Sequence, residues 1–251
     1  MRLLIASLLL LIAFPSVAFN ADRPVPFTTG EVLTYDVSWT RFVTAGTATL
    51  TVRDRRSIGG GKSAHYVIAE AKPSSFAERL YHVYYKAESF FDTETLRPAM
   101  ATIYSEERGR KRRRVMTFRP GDVADYEVQT TSTSKSQFKT LPLTLDPLSV
   151  LYVLRTLPLK EGQTTTVPFA NNGRNYRVRL AVGRRESIKT ALGSLQAWKL
   201  TPTIQDDKGQ SATTRNMTIW MSDDARRLPL RMEVDLPVGS FALTLSSVKR
   251  Q

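Results

Sequence analysis

The chain has 251 residues, with 36 Lys plus Arg against 23 Asp plus Glu and no cysteine. Without cysteine there are no disulfides, no thiolate catalysis, no cysteine-ligated metal and no lipid-modified N-terminal cysteine, so stability must come from the core. The net charge of +13 favours anionic partners: nucleic acid, lipid headgroups, lipopolysaccharide phosphates or acidic glycans.

The chain begins Met1-Arg2, runs through apolar residues 3–14, and reaches Pro15-Ser16-Val17-Ala18. A short basic start, an apolar segment too short to anchor in a bilayer and a small-x-small ending read as a secretory signal peptide, cleaved after Ala18. Cleavage removes Arg2, leaving 35 minus 23, or +12. Export places the remaining chain in the periplasm and makes nucleic acid the least fitting anionic partner. No later stretch approaches the roughly 18 consecutive apolar residues of a membrane helix, so residues 19–251 are expected to be soluble or peripheral to a membrane.

From Val32 onward, short runs rich in Val, Thr, Tyr, Ile, Leu and Phe alternate with Gly, Asp, Asn, Ser and Pro. Period-two alternation in Leu33, Tyr35, Val37, Trp39 and in Ala48, Leu50, Val52 marks a first hairpin with one buried face. Further strands are expected at 63–71, 80–92, 97–105, 112–119, 123–130, 164–170, 176–182, 184–190, 193–201, 212–221, 228–235 and 241–248. Turn signals such as Gly59-Gly60-Gly61, Pro120-Gly121-Asp122 and Asn171-Asn172-Gly173 separate them. Residues 130–139 are polar and read as a loop or an edge strand. One segment differs. Asp146 can cap a helix with Pro147 in its first turn, and Leu148, Val150, Leu151, Val153, Leu154 and Leu157 surround that helix with apolar side chains. A helix apolar nearly all round is buried. The expected fold class is mainly β: one domain, a single antiparallel curved sheet or partly closed barrel wrapped around one buried α-helix.

Catalytic signatures are missing. His65 and His82 are isolated, in neither a His-x-x-x-His nor a metalloprotease pattern. No Gly-x-Ser-x-Gly elbow, phosphate loop or dinucleotide fingerprint occurs. The acidic pairs Glu106-Glu107, Asp206-Asp207 and Asp223-Asp224 are adjacent residues that point apart, unlike a glycosidase pair, and no Asp-x-Asp-x-Asp-Gly calcium spacing occurs, so they read as turn residues. The strongest charge feature is Arg108-Gly109-Arg110-Lys111-Arg112-Arg113-Arg114, which reads as a hairpin tip able to grip phosphates. From Trp220 to Pro229 the pattern is strand, Asp/Ser turn and return strand.

Gly30-Glu31, Tyr35, Trp39 and Gly46, the block from Asp146 to Tyr152 with Arg155, and the Trp220 to Pro229 turn carry a resemblance. In order and spacing they resemble an exported Gram-negative family called domain of unknown function three-one-zero-eight, from Gly30 to about Val248. The resemblance implies export, a mainly β fold and no established activity, and it carries over no catalytic residue; the Arg108 to Arg114 run is not part of it.

The reading that follows is a non-enzymatic, cofactor-free periplasmic binding or carrier protein for an apolar or anionic lipid-like ligand, with peripheral membrane contact open to it. Its expected ligand-binding residues are Arg108, Arg110, Lys111, Arg112, Arg113 and Arg114 for the headgroup, and Leu151, Tyr152 and Arg155 on the helix. The alternative is an envelope scaffold that engages partners through sheet edges. An outer-membrane barrel fits less well, because Lys249-Arg250-Gln251 is not an aromatic strand end and the strands carry charge on both faces.

Overall fold

The computed structural model describes residues 25–40, 43–80, 82–211, 216–236 and 239–250. The expected signal peptide lies outside these residues. Fourteen strands form one sheet in the order β8-β7-β6-β5-β4-β3-β2-β1-β14-β13-β12-β11-β10-β9. They are β1 (Val32–Trp39), β2 (Val43–Gly59), β3 (Lys62–Pro73), β4 (Val83–Asp92), β5 (Pro98–Glu107), β6 (Arg110–Arg119) and β7 (Val123–Gln129). The rest are β8 (Thr133–Lys139), β9 (Thr164–Asn171), β10 (Arg174–Thr190), β11 (Gly193–Asp206), β12 (Met217–Ser222), β13 (Pro229–Leu236) and β14 (Gly239–Lys249). Helix α1 (Ser75–Leu80) joins β3 to β4, and α2 (Pro147–Thr156) lies between β8 and β9. The expected mainly β, antiparallel, single-sheet architecture is present, and the sheet is not closed.

Three buried clusters collect the alternate side chains. The first joins Leu33 and Tyr35 of β1, Leu50 and Val52 of β2, Val67 of β3, Phe91 of β4, Leu230 of β13 and Leu245 of β14 with Phe27, Leu148 and Tyr152. The second joins Val167 and Phe169 of β9, Val178 and Leu180 of β10, Leu200 of β11 and Ile219 of β12 with Val150 and Leu154. Leu148, Tyr152 and Arg155 follow i, i+4, i+7 spacing along one stripe of α2, and Val150 and Leu154 follow i, i+4 along another. The third cluster explains how an unclosed sheet protects its ends. Ala170 of β9 packs against Ala101 of β5 and Met116 of β6, with Phe118, Tyr126 and Phe138 around them. Phe169 and Ala170 are adjacent on one strand and face opposite ways. One faces the cluster beside α2 and the other the β5–β6 end, so the two ends of the sheet overlap through side chains instead of sharing a ladder. Leu145, just before α2, makes the backbone link to β9, with hydrogen bonds to Pro168 O and from Ala170 N.

The structure corrects several boundaries. Residues 80–92 are not one strand: Ser74 caps α1 through Ala77 N, and the strand starts at Val83. Residues 176–182 and 184–190 are two parts of the 17-residue β10, interrupted by a register shift between Val182 and Arg185. Residues 133–139 are an edge strand, one of the two readings of the polar segment. The expected strand at 212–221 begins at Met217, and residues 212–215 lie outside the described ones.

Gly46 fixes the approach of β2 to β3. It pairs with Pro73, and a Cβ there would sit 2.0 Å from Lys72 O and 2.9 Å from Pro73 Cα. Both obstacles are backbone, so the strands would have to part. Gly46→Ala is expected to lower stability by about 1–3 kcal/mol, as overpacked sites do; an unchanged urea midpoint would contradict this close approach.

Candidate functional site

The basic run lies where its residues were expected, in a hairpin. Arg108 and Gly109, with φ of 50° and 76°, form the two-residue turn between Glu107 and Arg110. Positive φ at both positions gives the primed turn that matches strand twist. Along β6 the side chains then alternate. Met116 is in the third buried cluster, so Arg110, Arg112 and Arg114 share its inward side, and Lys111 and Arg113 face out. Arg114 donates to Asn172 Oδ1 at 3.2 Å and to buried Ser105 Oγ at 3.4 Å. Outside, Lys111 lies 3.9 Å from Glu106 and Arg113 donates to Gln129.

The helix residues of the expected site lie elsewhere. Arg155 and Glu31 have side chains 1% and 0% exposed. Arg155 donates Nη1 and Nη2 to the two Glu31 oxygens at 2.6 and 3.0 Å, and Nη2 also to the carbonyls of Pro26 and Arg226. Its guanidinium stacks over the rings of Phe27 and Tyr152. Burial raises the Tyr35 and Tyr152 hydroxyls well above the usual tyrosine range, against the opposing field of Arg155. Tyr152 and Arg155 are therefore part of the packed centre rather than a solvent-facing surface, and the structure does not bring them to the β6 arginines. Leu151 is only half-buried, between the first and second clusters. At the other end of α2, Asp146 accepts from Leu148 N and Ser149 N and from Ser89 Oγ of β4 at 2.6 Å. Burial raises its carboxyl pKa, opposed by these hydrogen bonds.

His65 and His82 are apart. His65 is buried between Phe27 and Phe91, at ring distances of 5.1 and 5.3 Å, while exposed His82 pairs with Glu78 and Glu106. Burial, then the charge of Arg55, lowers the His65 pKa to about 4, with Asp92 opposing. The acidic pairs behave as turn and strand residues: Asp224 accepts from Ser222 Oγ and Arg226 N, and Asp223 from Trp198 Nε1. Among the described residues no group of three or more His, Cys, Asp or Glu could hold a metal ion.

A gradient that sequence periodicity could not reveal runs along the inward face. Register places Leu33, Leu50, Ala69 and Ala87 on one rung and Tyr35, Ala48, Ala71 and Tyr85 on the next. At the end where β1 starts, inward residues are buried: Leu33 and Tyr35, His65 and Val67, Phe91 and Ser89. Along β1 they pass through half-buried Val37 to Trp39, 39% exposed, and across the two rungs from β1 to β4 they pass through half-buried Ala71 and Ala87 to Tyr85, 41% exposed. The same rungs continue into β6 through Ile103 to Arg114 and Ser105 to Arg112. Apolar inward positions thus lead to an arginine-bearing rim.

A family model described as protein of unknown function, DUF3108, matches residues 34–246. No curated protein matches the chain. Among solved structures, a beta-barrel-like protein of domain of unknown function DUF1849 from Brucella abortus is 11% identical with a TM-score of 0.53, over 88% of this chain and 97% of that one. At that identity the likeness concerns fold. A candidate lipoprotein from Parabacteroides distasonis is 10% identical with a TM-score of 0.37, over 90% and 98% of the two chains. Lipoprotein LppX from Mycobacterium tuberculosis is 16% identical with a TM-score of 0.22, over 88% and 86%. These two likenesses are too low to support an argument.

Breaking a buried ion pair strands a charge, while removing both partners does not. Glu31→Leu or Arg155→Met alone is expected to cost about 3–5 kcal/mol, and the double variant less than the sum; additive losses by urea denaturation would contradict the coupling. For His65 the folded pKa, about 4, lies below the ordinary 6.5. Between these values the unfolded chain binds the extra proton, so stability falls as pH drops from 6.5 towards 4, by roughly 3 kcal/mol at most. His65→Phe should flatten that slope, measured as urea midpoints at pH 7 and 4.5. An equally steep variant would place the titration elsewhere.

Proposed function

This chain belongs to the DUF3108 family, and from that premise we propose that it is a non-catalytic binding or carrier protein of the bacterial envelope for an anionic, lipid-like ligand. The observation that carries the reading is the gradient of inward burial ending at Arg110 and Arg112. In this reading the sheet wraps around α2, which fills the end where β1 starts and leaves the hairpin end open. An acyl chain would lie along Val37, Ala71, Ala87 and Leu151, the half-buried apolar positions. Its headgroup would meet Arg110 and Arg112, with Trp39 and Tyr85 at the interface between apolar and wet surroundings, a setting that suits amphipathic rings. Ligand sites commonly combine an apolar lining with a few polar anchors. The N-terminal segment supports an envelope address, and among the described residues no helix is long and apolar enough to cross a membrane.

A second reading is favoured by β8, the sheet edge, whose residues are mostly exposed. An unpaired strand edge is a template for an added strand, and a scaffold role would use it.

The deciding measurement is native mass spectrometry with lipid extraction, on protein purified from periplasm without detergent. A near-stoichiometric lipid is expected, and Arg110→Glu with Arg112→Glu should cut its retention at least tenfold, since charge-assisted hydrogen bonds contribute about 1.5–3 kcal/mol each. An apo mass that takes up no lipid on addition would overturn the carrier reading and favour the scaffold.

A further inference from the structure

The opposite end of the sheet carries a second feature of matching chemistry. Leu192, Leu195, Arg226, Val248 and Arg250 line a cleft of about 450 Å³, within the roughly 300–1,000 Å³ of small-molecule sites. Leu192 stands at the tip of the β10–β11 hairpin, 41% exposed, while Leu195 and Val248 pack against the first buried cluster. The floor of the cleft is therefore continuous with the core.

Its charges do not cancel. Arg226 Nη2 lies 2.7 Å from Asp224, and Arg155 saturates Glu31 from behind while donating to the Arg226 carbonyl. Arg250 Nη2 is 3.8 Å from Glu31, beyond hydrogen-bond reach. Among the described residues three guanidinium groups, Arg155, Arg226 and Arg250, face two carboxylates, Glu31 and Asp224, which leaves one positive charge. A guanidinium fork fits a carboxylate in bidentate fashion, and the single surplus charge matches a monoanion.

We propose that this cleft binds an aliphatic carboxylate, its head on Arg250 and Arg226 and its chain on Leu192, Leu195 and Val248. The site rests on the reading of the protein as an amphiphile binder but has a different address. Val248 is seven residues along β14 from Phe241 at the hairpin end, about 23 Å at the rise of a strand.

The test uses the exported chain with dodecanoate, kept below its micellar concentration, in titration calorimetry, with dodecanol as the uncharged probe of equal length. Dodecanoate is expected to bind at least tenfold more tightly than dodecanol. Arg226→Gln with Arg250→Gln should weaken it at least tenfold, with the fold checked by circular dichroism. Arg110→Glu with Arg112→Glu should leave it unchanged. A diazirine-bearing dodecanoate should label peptides containing Leu192, Leu195 or Val248, and Leu192→Ser should reduce that labelling if the double arginine variant fails to fold. Labelling confined to peptides around Ala71 and Ala87 would overturn this site and leave the carrier reading standing. Equal affinity for dodecanol, or no binding of dodecanoate, would overturn the site as well, and the lipid recovered from periplasmic protein would still decide the carrier reading on its own.

Discussion

The contact between Glu31 and Arg155 joins parts of the chain that are far apart in sequence. Glu31 immediately precedes β1, which has neighbours on both sides, β14 and β2; Arg155 is in the last turn of α2. Two charges taken out of water lose several kcal/mol of hydration each, and only close geometry with further hydrogen bonds offsets the loss. Both conditions hold, because the pair is bidentate and the guanidinium is shared with two carbonyls and two rings. Such a pair adds little net stability compared with apolar residues of the same shape. What it does is fix position: any other placement of α2 along the inward face would leave Glu31 buried alone. The Asp146 cap pins the other end of the helix to Ser89, so a ten-residue element is held at both ends by polar contacts and along its sides by apolar ones.

A sheet with an ordered interior must also deal with its two edges. Closing the ladder would demand strand number, tilt and stagger that agree. Here Ala170 lies on the β5 and β6 side chains, and Arg114 reaches Asn172 across the same seam. Side-chain overlap is tolerant of register, whereas a ladder is not. Among the described residues no strand pairs on the second side of β8, which is rich in Ser, Thr and Lys, a composition that discourages accidental strand addition.

Much of this was legible in the sequence, and the parts that were not share a cause. Alternation in Leu33, Tyr35 and Val37, glycine turns such as that at Gly109, and the Asp146-Pro147 start are local signals, and local signals identify elements. Helix α1 was missed because Ser75 to Leu80 offers less than two turns of pattern, and its cap, Ser74, gains meaning only from its bond to Ala77. The break in β10 was misread because a bulge interrupts alternation just as a turn does. Nothing local in the resemblance block shows that Arg155 meets Glu31, since the partners are 124 residues apart. Arg155, Tyr152 and Leu151 read as ligand-binding residues on the helix; the burial of Arg155 and Tyr152, a property of the fold, separates them from the β6 arginines. The burial gradient and the cleft beside Arg250 depend on which strands become neighbours, so neither has a sequence signature.

The basic run illustrates how a fold assigns meaning to composition. Consecutive cations on a strand must divide between its two sides, whatever their purpose. On the outward side of β3 to β8, carboxylates stand among the cations: Glu70 with Lys72, Glu88 with Lys86, Glu106 with Lys111 and Glu127 with Lys135. Each of these four cations has a carboxylate within 4 Å. On the inward side Arg110, Arg112 and Arg114 share a rim, among the described residues, with the carboxylate of Glu107, which accepts from Tyr85. Charge left unbalanced beside an apolar surface disfavours folding slightly through self-repulsion and desolvation. Under the proposed carrier role, an anion with an apolar body would relieve the repulsion and cover the half-buried aliphatic side chains together. The asymmetry between the two sides of β6, more than the number of its arginines, is what sets the hairpin end apart from an ordinary basic surface.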